Sequence, residues 1–405
     1  MHKNVCPSQD RVAKLKSILT AQDLAINGAA PAFAEPLHVG CPNIGSREAF
    51  LKYVNDIFDR RWLSNDGPMV RKLEQRIADH LGVKHCVAMC NGTVALEIAI
   101  RALGLEGEVI VPSYTFIATA HALHWQAITP VFADIDPSTH MLSPEAVRRM
   151  ITPRTSGIIG VHLWGRGAPV EALQDIADAH GLKLMFDAAH ALGCSHRGKM
   201  IGNFGACEVL SFHATKFFNT FEGGAVVTND DDLAATMRLM RNFGFAGIDN
   251  VIHSGTNGKM MEIAAAMGLV NLDDIDSVIE TNRRNYLAYR EALSGMRGIR
   301  LLQFDETERN NYQYVVIEIG EDCVATRDQI VQALRAENIL ARKYFWPGCH
   351  NMKPYSELYP HAGLFLPNTK KIADSVIVLP TGTAITGESV NTIVDVIRAM
   401  AEPPA

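Results

Sequence analysis

The sequence predicts an α/β protein: a large domain with a mostly parallel sheet covered by helices, joined to a smaller α+β C-terminal domain. Three observations carry this expectation. Near-continuous apolar runs recur at Glu108–Val111, Pro130–Ile135, Gly157–Val161, Leu184–Phe186, Glu208–Phe212 and Ala225–Thr228. Helical stretches such as Pro144–Met150 and Val170–His180 fall between several of them. Strands that are apolar on both faces and alternate with helices belong to a sheet buried on both sides. After residue 275 the alternation stops, and a shorter mixture of strands and helices takes over.

In chain order, residues 1–38 read as an N-terminal extension. Its Asn27-Gly-Ala-Ala-Pro-Ala-Phe-Ala-Glu-Pro36 segment has the small-residue and proline composition of a linker, with a short helix before it. Residues 39–275 form the expected large domain. Phe50, Tyr53, Val54 and Ile57 recur at helical spacing behind Ser46, a capping residue. Ser64-Asn-Asp-Gly-Pro68 is a turn, and Val70, Leu73, Ile77 and Leu81 mark one face of a second helix that Gly82 closes. A third helix starts at Asn91-Gly92-Thr93, carries Leu96, Ala99, Ile100 and Leu103 on its apolar face, and ends at Gly104. Residues 276–405 form the second domain. Ile275, Val278, Ile279, Tyr286, Tyr289 and Leu293 give the long amphipathic helix that links the two. Strands at Tyr314–Ile319 and Ser375–Leu379 and helices at Arg327–Glu337 and Glu388–Met400 follow.

Composition narrows the function. A chain of 405 residues with 47% hydrophobic and 20% charged residues is expected to be soluble and globular, with room for two domains. The net charge of −6 supplies no basic field for nucleic acid, and no apolar run is long enough to span a bilayer. Residues 11–26 mix Lys, Asp and Gln among their apolar residues, unlike a secretion signal. Eight scattered cysteines read as reduced thiols, so a cytoplasmic location is expected.

The chemistry centres on Ser211-Phe-His-Ala-Thr-Lys216-Phe-Phe-Asn-Thr-Phe-Glu222-Gly-Gly224. Lys216 sits among aromatic and small residues between two apolar strands. A lysine in that setting is partly desolvated, which lowers its pKa and frees the amine as a nucleophile. The chemistry that most needs such an amine is a Schiff base with a carbonyl, pyridoxal phosphate above all. The plain alternative is a surface lysine in a strand connection.

Ligands of open α/β sheets bind at the carboxyl ends of the strands. The segments just past those ends are Pro112-Ser-Tyr-Thr-Phe116, His162-Leu-Trp-Gly165, Asp187-Ala-Ala-His190 and the Lys216 loop. Asp187 could pair with a pyridinium nitrogen, or cap a following helix. Gly92 and Thr93 at a helix start offer free N–H groups and a hydroxyl to a phosphate, or make an ordinary cap. Phe116 could cover a planar ring or belong to the core. His190 could touch such a ring or be a satisfied buried histidine.

Together these motifs resemble the sugar-nucleotide aminotransferases of the DegT/StrS type. The likeness runs from Pro36 to the C-terminus. It rests on Gly67-Pro68 with Leu73-Glu74, Asn91-Gly-Thr-Val-Ala-Leu96, Pro112-Ser-Tyr-Thr-Phe-Ile-Ala-Thr119 and Pro130-Val-Phe-Ala-Asp134. Val161-His162, Asp187-Ala-Ala-His190, Ser211-Phe-His-Ala-Thr-Lys216 and Glu222-Gly-Gly224 complete it. The resemblance implies a fold type I pyridoxal-phosphate enzyme. Lys216 would hold the cofactor covalently and then move the substrate proton, with Asp187 at the pyridine nitrogen and Phe116 stacked on the ring. Gly92, Thr93 and Ser211 would hold the phosphate, with His190 near the ring. Asn257 would reach the phosphate of the neighbouring subunit, because the family's sites form at a homodimer interface.

One departure is visible. Many members follow that asparagine with an aromatic residue and an arginine, whereas Gly258-Lys259 stand here. The Gly-Thr-Asn-Gly-Lys variant is similar to enzymes that aminate C4 of a nucleotide-linked 4-keto-6-deoxyhexose, with glutamate expected as amino donor. The alternatives are a C3-specific aminotransferase and a pyridoxal-binding regulator without turnover. Related dehydratases carry histidine where Lys216 stands. Substrate contacts are expected in loops such as Arg342–Pro354. A P-loop is excluded at Gly255–Met260, which lacks the length and the Ser/Thr, and Cys86 with Cys90 lacks the second ligand pair of a zinc site.

Overall fold

The apolar runs pair into one seven-stranded sheet in the computed structural model, which describes residues 16–402. The first 15 residues of the expected extension and the last three of the tail lie outside the described residues. The strands are β1 (His85–Met89), β2 (Glu108–Pro112), β3 (Thr129–Ala133), β4 (Thr155–Val161), β5 (Lys183–Asp187), β6 (Glu208–Ser211) and β7 (Gly224–Thr228). Their order is β1-β7-β6-β5-β4-β2-β3, parallel except where β7 pairs with β1 and β6. β1 was not among the expected strands. It follows Lys84 and opens on His85, so its apolar residues, Cys86 to Met89, do not stand apart from the polar flanks.

Alternation of side chains across each strand explains both helix layers. Ile110, Ile158, Leu184 and Phe186 face the layer that includes the helix Val170–His180. Val109, Val111, Ile159, Met185 and Val226 face the other, where the helices Gly92–Ala102 and Asp231–Met240 pack. The expected doubly covered α/β domain is the one observed.

The helix Glu262–Asp273 had no sequence signal, because it is apolar nearly all round and buried on every side. Its first residue does specific work. The helix Pro68–Leu81 begins at Gly67, which has no side chain to cap it. The buried Glu262 carboxylate accepts from Met69 N and Val70 N instead, both at 2.9 Å. A Cβ on Gly67 would come within 2.4 Å of that carboxyl carbon, so only glycine admits the arrangement.

The C-terminal part of the chain, termed the second domain, holds an antiparallel sheet of β8 (Ile299–Leu301), β9 (Val315–Ile319) and β10 (Val376–Leu379). The helices Ile275–Ala292, Arg327–Ala336 and Gly387–Ala401 cover it. Residues 16–38 pack on this domain rather than spanning free space. Leu24, Phe33 and Leu37 are buried in its core, and Leu37–His38 pairs in parallel with Ile339–Leu340. The fully buried Glu337 carboxylate ties the segment down, accepting from Ala25 N and Ala32 N at 2.6 Å and from Lys16 Nζ at 3.0 Å.

Six described cysteines are free thiols, but Cys41 is disulfide-bonded. This corrects the expectation of reduced thiols throughout. Disulfide formation depends on the approach of two side chains in space, which scattered sequence positions do not reveal.

Candidate active site

β2, β4, β5 and β6 run parallel, so their carboxyl ends open on one edge of the sheet. A cavity of about 370 Å³ lies there, closed from the opposite side by residues of the second domain. Lys216 enters it from the loop between β6 and β7. Phe212 N donates to Gly223 O at 2.8 Å, and Thr220 N donates to Phe212 O at 2.9 Å, pinching the loop. Phe217 and Phe218 anchor it in the core, leaving Lys216 directed at the cavity. Its Nζ donates to Tyr314 Oη at 3.2 Å. Burial pulls the ammonium pKa down to about 8, against the opposing charge of Asp187. The surface-lysine alternative fails.

Asp187 ends β5, hydrogen-bonded in register between Val161 of β4 and Val209 of β6. Thr119 Oγ1 donates to its Oδ2 at 2.8 Å and Ala189 N to its Oδ1 at 3.1 Å. Burial raises the carboxyl pKa despite these two bonds. No helix follows Asp187, so it caps none, and the carboxylate is left facing the cavity. Behind it, His162 Nε2 lies 3.0 Å from Glu208 Oε2, both side chains fully buried.

His190 is stacked rather than merely enclosed. Its ring lies against Trp164, Tyr314 and Phe345. Trp164 N donates to His190 Nδ1 at 3.4 Å, which leaves Nε2 to carry the proton of the neutral ring. Burial and the Lys216 charge push the imidazole pKa well below its usual value, so neutral is the form it holds.

The third wall is the start of the helix Gly92–Ala102. Asn91, not Thr93, is its cap, its Oδ1 accepting from Val94 N at 2.8 Å. Gly92, Thr93 and Ser211 line the cavity beside it. The approach is tight: a Cβ on Gly224 would come within 2.6 Å of Gly92 N, and one on Gly92 within 3.1 Å of Ser211 Cβ. Helix N–H groups and two hydroxyls converging on one small space form an anion seat.

Phe116 is 57% exposed and lines the cavity, so the core alternative is wrong for it. Asn257 is not brought into its own chain's cavity. It is exposed on the loop that bridges to Asn242. Sequence reasoning assigned no role to Thr119 or Trp164, although Thr119 lies in the motif 112–119 and Trp164 in the strand-end segment 162–165, and it read Tyr314 only as the start of a strand. The loop Arg342–Pro354, expected to contact substrate, does bring Arg342, Tyr344 and Phe345 to the cavity.

The residues fit a planar, phosphorylated pyridine aldehyde. A desolvated amine would face its carbonyl, a buried carboxylate that lacks a described ion-pair partner would face its ring nitrogen, and a glycine-lined helix start would face its phosphate. Against known families, residues 45–398 match the model of the DegT/DnrJ/EryC1/StrS aminotransferase family. The chain belongs to that family. Within it, the chain is 36% identical over 364 residues to a dTDP-4-amino-4,6-dideoxy-D-glucose transaminase of Shigella dysenteriae, covering 90% of this chain and 99% of the relative. It is 37% identical over 328 residues to a GDP-perosamine synthase of Caulobacter vibrioides, covering 80% and 87%. The crystal structure of DesI in the presence of its TDP-sugar product superposes with a TM-score of 0.89 at 50% identity, covering 93% of this chain and 96% of that one. As a member of the DegT/DnrJ/EryC1/StrS family, the chain is an enzyme of the aminotransferase class.

Proposed function

We propose that this enzyme is a pyridoxal-phosphate-dependent aminotransferase that converts a nucleotide-diphosphate 4-keto-6-deoxyhexose into the 4-amino-4,6-dideoxy sugar, with glutamate as amino donor. The observation that carries this is the pairing of a partly buried, desolvated amine, Lys216, with a buried carboxylate, Asp187, across one cavity at the strand ends. Relatives covering most of the chain are named for dTDP-4-amino sugars, and DesI was crystallised with a TDP-sugar product. Both support a C4 ketone of a nucleotide-linked hexose as substrate.

When bound, pyridoxal phosphate supplies an electron sink for the negative charge left on the substrate carbon. The protein does the rest. Asp187, oriented by Thr119 and Ala189, would keep the ring nitrogen protonated. Gly92, Thr93 and Ser211 would seat the phosphate, Phe116 would pack against the ring, and His190 would present its Nε2–H. Lys216 Nζ would hold the cofactor and would carry the transferred proton.

We place the enzyme in the cytoplasm as a homodimer. Among the described residues no helix is long and apolar enough to cross a membrane. The loop that carries Asn257 also exposes Ile248, Val251, Ile252 and Met261, an apolar run suited to a second copy of the chain. In that arrangement Asn257 serves the neighbour's phosphate seat. Incubating the purified holoenzyme with nucleotide 4-keto and 3-keto sugars and glutamate, with mass detection, tests the reading. Formation of the 4-amino sugar with equimolar 2-oxoglutarate is expected. Exclusive conversion of 3-keto sugars, or no amination at all, would overturn it.

A further inference from the structure

We propose that Tyr314 is a further catalytic residue, its hydroxyl being the hydrogen-bond partner of Lys216 Nζ in both protonation states of the amine. This rests on the reading of Lys216 as the amine that holds the cofactor. Tyr314 immediately precedes β9 and reaches the cavity from the second domain. Its hydroxyl lies 3.2 Å from Nζ, and its ring centroid lies 4.4 Å from that of His190. The neighbouring residues are tied as well, since Phe217 N donates to Gln313 Oε1 at 3.4 Å. Two adjacent bonds thus join the Lys216 loop to the second domain at this point.

The chemistry of the pair suits a proton shuttle. An ammonium only donates, whereas a free amine also has a lone pair, and a phenol both donates and accepts. While Nζ carries three protons it donates to the Tyr314 oxygen. Once Nζ has given one up, the Tyr314 O–H turns to donate into the lone pair. Burial keeps that hydroxyl protonated, so it serves in both states. A phenylalanine would leave a buried amine without this partner in either state. The bond to the ammonium is charge-assisted and the stronger of the two, so the hydroxyl favours the protonated amine. Removing it leaves only the Asp187 charge to oppose desolvation and shifts the amine's titration downward.

Six other titratable groups line the cavity around Lys216: Asp187 and His190 from the β5 end, His213 and Glu222 from its own loop, and Arg342 and Tyr344 from the second domain. Tyr314→Phe leaves all six in place and keeps the ring contacts with His190 and Trp164. The difference between wild type and variant therefore reports the hydroxyl.

The experiment strips both proteins of cofactor, adds pyridoxal phosphate, and follows its covalent capture by absorbance from neutral to alkaline pH. Steady-state kinetics and thermal melting accompany it. Capture by the wild type should rise with pH and level off above about 8, where Nζ is deprotonated. In Tyr314→Phe the midpoint should lie about half a unit lower or more, and kcat should fall about tenfold while KM and the melting temperature stay close to wild type. If the wild type captures the cofactor and the variant matches it in midpoint and kcat, Tyr314 only packs and the inference is wrong. A parallel loss of melting temperature and kcat with an unmoved midpoint also overturns it. A wild type that captures nothing overturns the reading of Lys216 itself, a distinct result.

Discussion

The large-domain wall of the cavity holds Asp187 and Ser211 at the ends of strands hydrogen-bonded side by side, with His190 and Lys216 in the loops that follow them. The second-domain wall brings Tyr314, Arg342 and Phe345 from segments packed across a domain boundary. In the first wall, register fixes position: Asp187 stands opposite Val161 and Val209 because the ladder puts it there. In the second, side chains fix position. Tyr114 Oη donates to Tyr344 O at 2.6 Å, and the Phe345 ring stacks on Trp164 at 5.4 Å. Ladder-held groups suit chemistry that tolerates little displacement, whereas groups held by packing can follow a domain movement.

Substitutions can break this contrast, and the groups of the large-domain wall should show the largest effects. Lys216→Ala removes the amine and should cut turnover by about 10³-fold or more, while the phosphate seat still binds pyridoxal phosphate. Residual activity above a few percent, measured in steady state, would contradict its role. Asp187→Asn keeps the shape but cannot hold the ring nitrogen protonated, so kcat should fall about 10²-fold with the fold intact by circular dichroism. A near-normal kcat would reduce Asp187 to a turn residue.

A third test extends the contrast to the partner subunit. Asn257→Asp places a carboxylate beside the neighbour's phosphate and should be nearly inactive by like-charge repulsion. Mixed with Lys216→Ala under subunit exchange, half of the dimers are hybrids with one intact site, so activity should return to about a quarter of wild type. Verified exchange that restores nothing would show that the phosphate is held within one chain. The smallest effect on turnover is expected at Glu337, far from the chemistry. Glu337→Gln leaves an amide group facing a backbone N–H and should cost about 1–3 kcal/mol of stability. Unfolding by denaturant and faster proteolysis within residues 16–38 would report it, with kcat unchanged.

The same contrast explains what could be read in the sequence. The parallel strands were legible because burial on both faces writes an unbroken apolar run, and a strand end is a position that composition marks. That was enough to bring Asp187, His190, Ser211 and Lys216 to one edge. Residues 16–38 were misread as a linker because Leu24, Phe33 and Leu37 are separated by small residues and find their partners more than 200 positions away. Tyr314 and Phe345 were placed in an expected strand and an expected contact loop but given no role, for a related reason. An aromatic residue in a strand or loop looks the same whether it faces a core or a cavity, and only tertiary packing distinguishes them. Glu262 would have counted as an exposed first-turn acid, yet it is buried and caps a different helix.

The central claim is that one desolvated amine, Lys216, holds the cofactor. Borohydride reduction of the holoenzyme followed by proteolysis and mass spectrometry tests it directly. The account predicts a single phosphopyridoxyl adduct, carried by Lys216. An adduct on another lysine with Lys216 unmodified, or label scattered over exposed lysines, would contradict it.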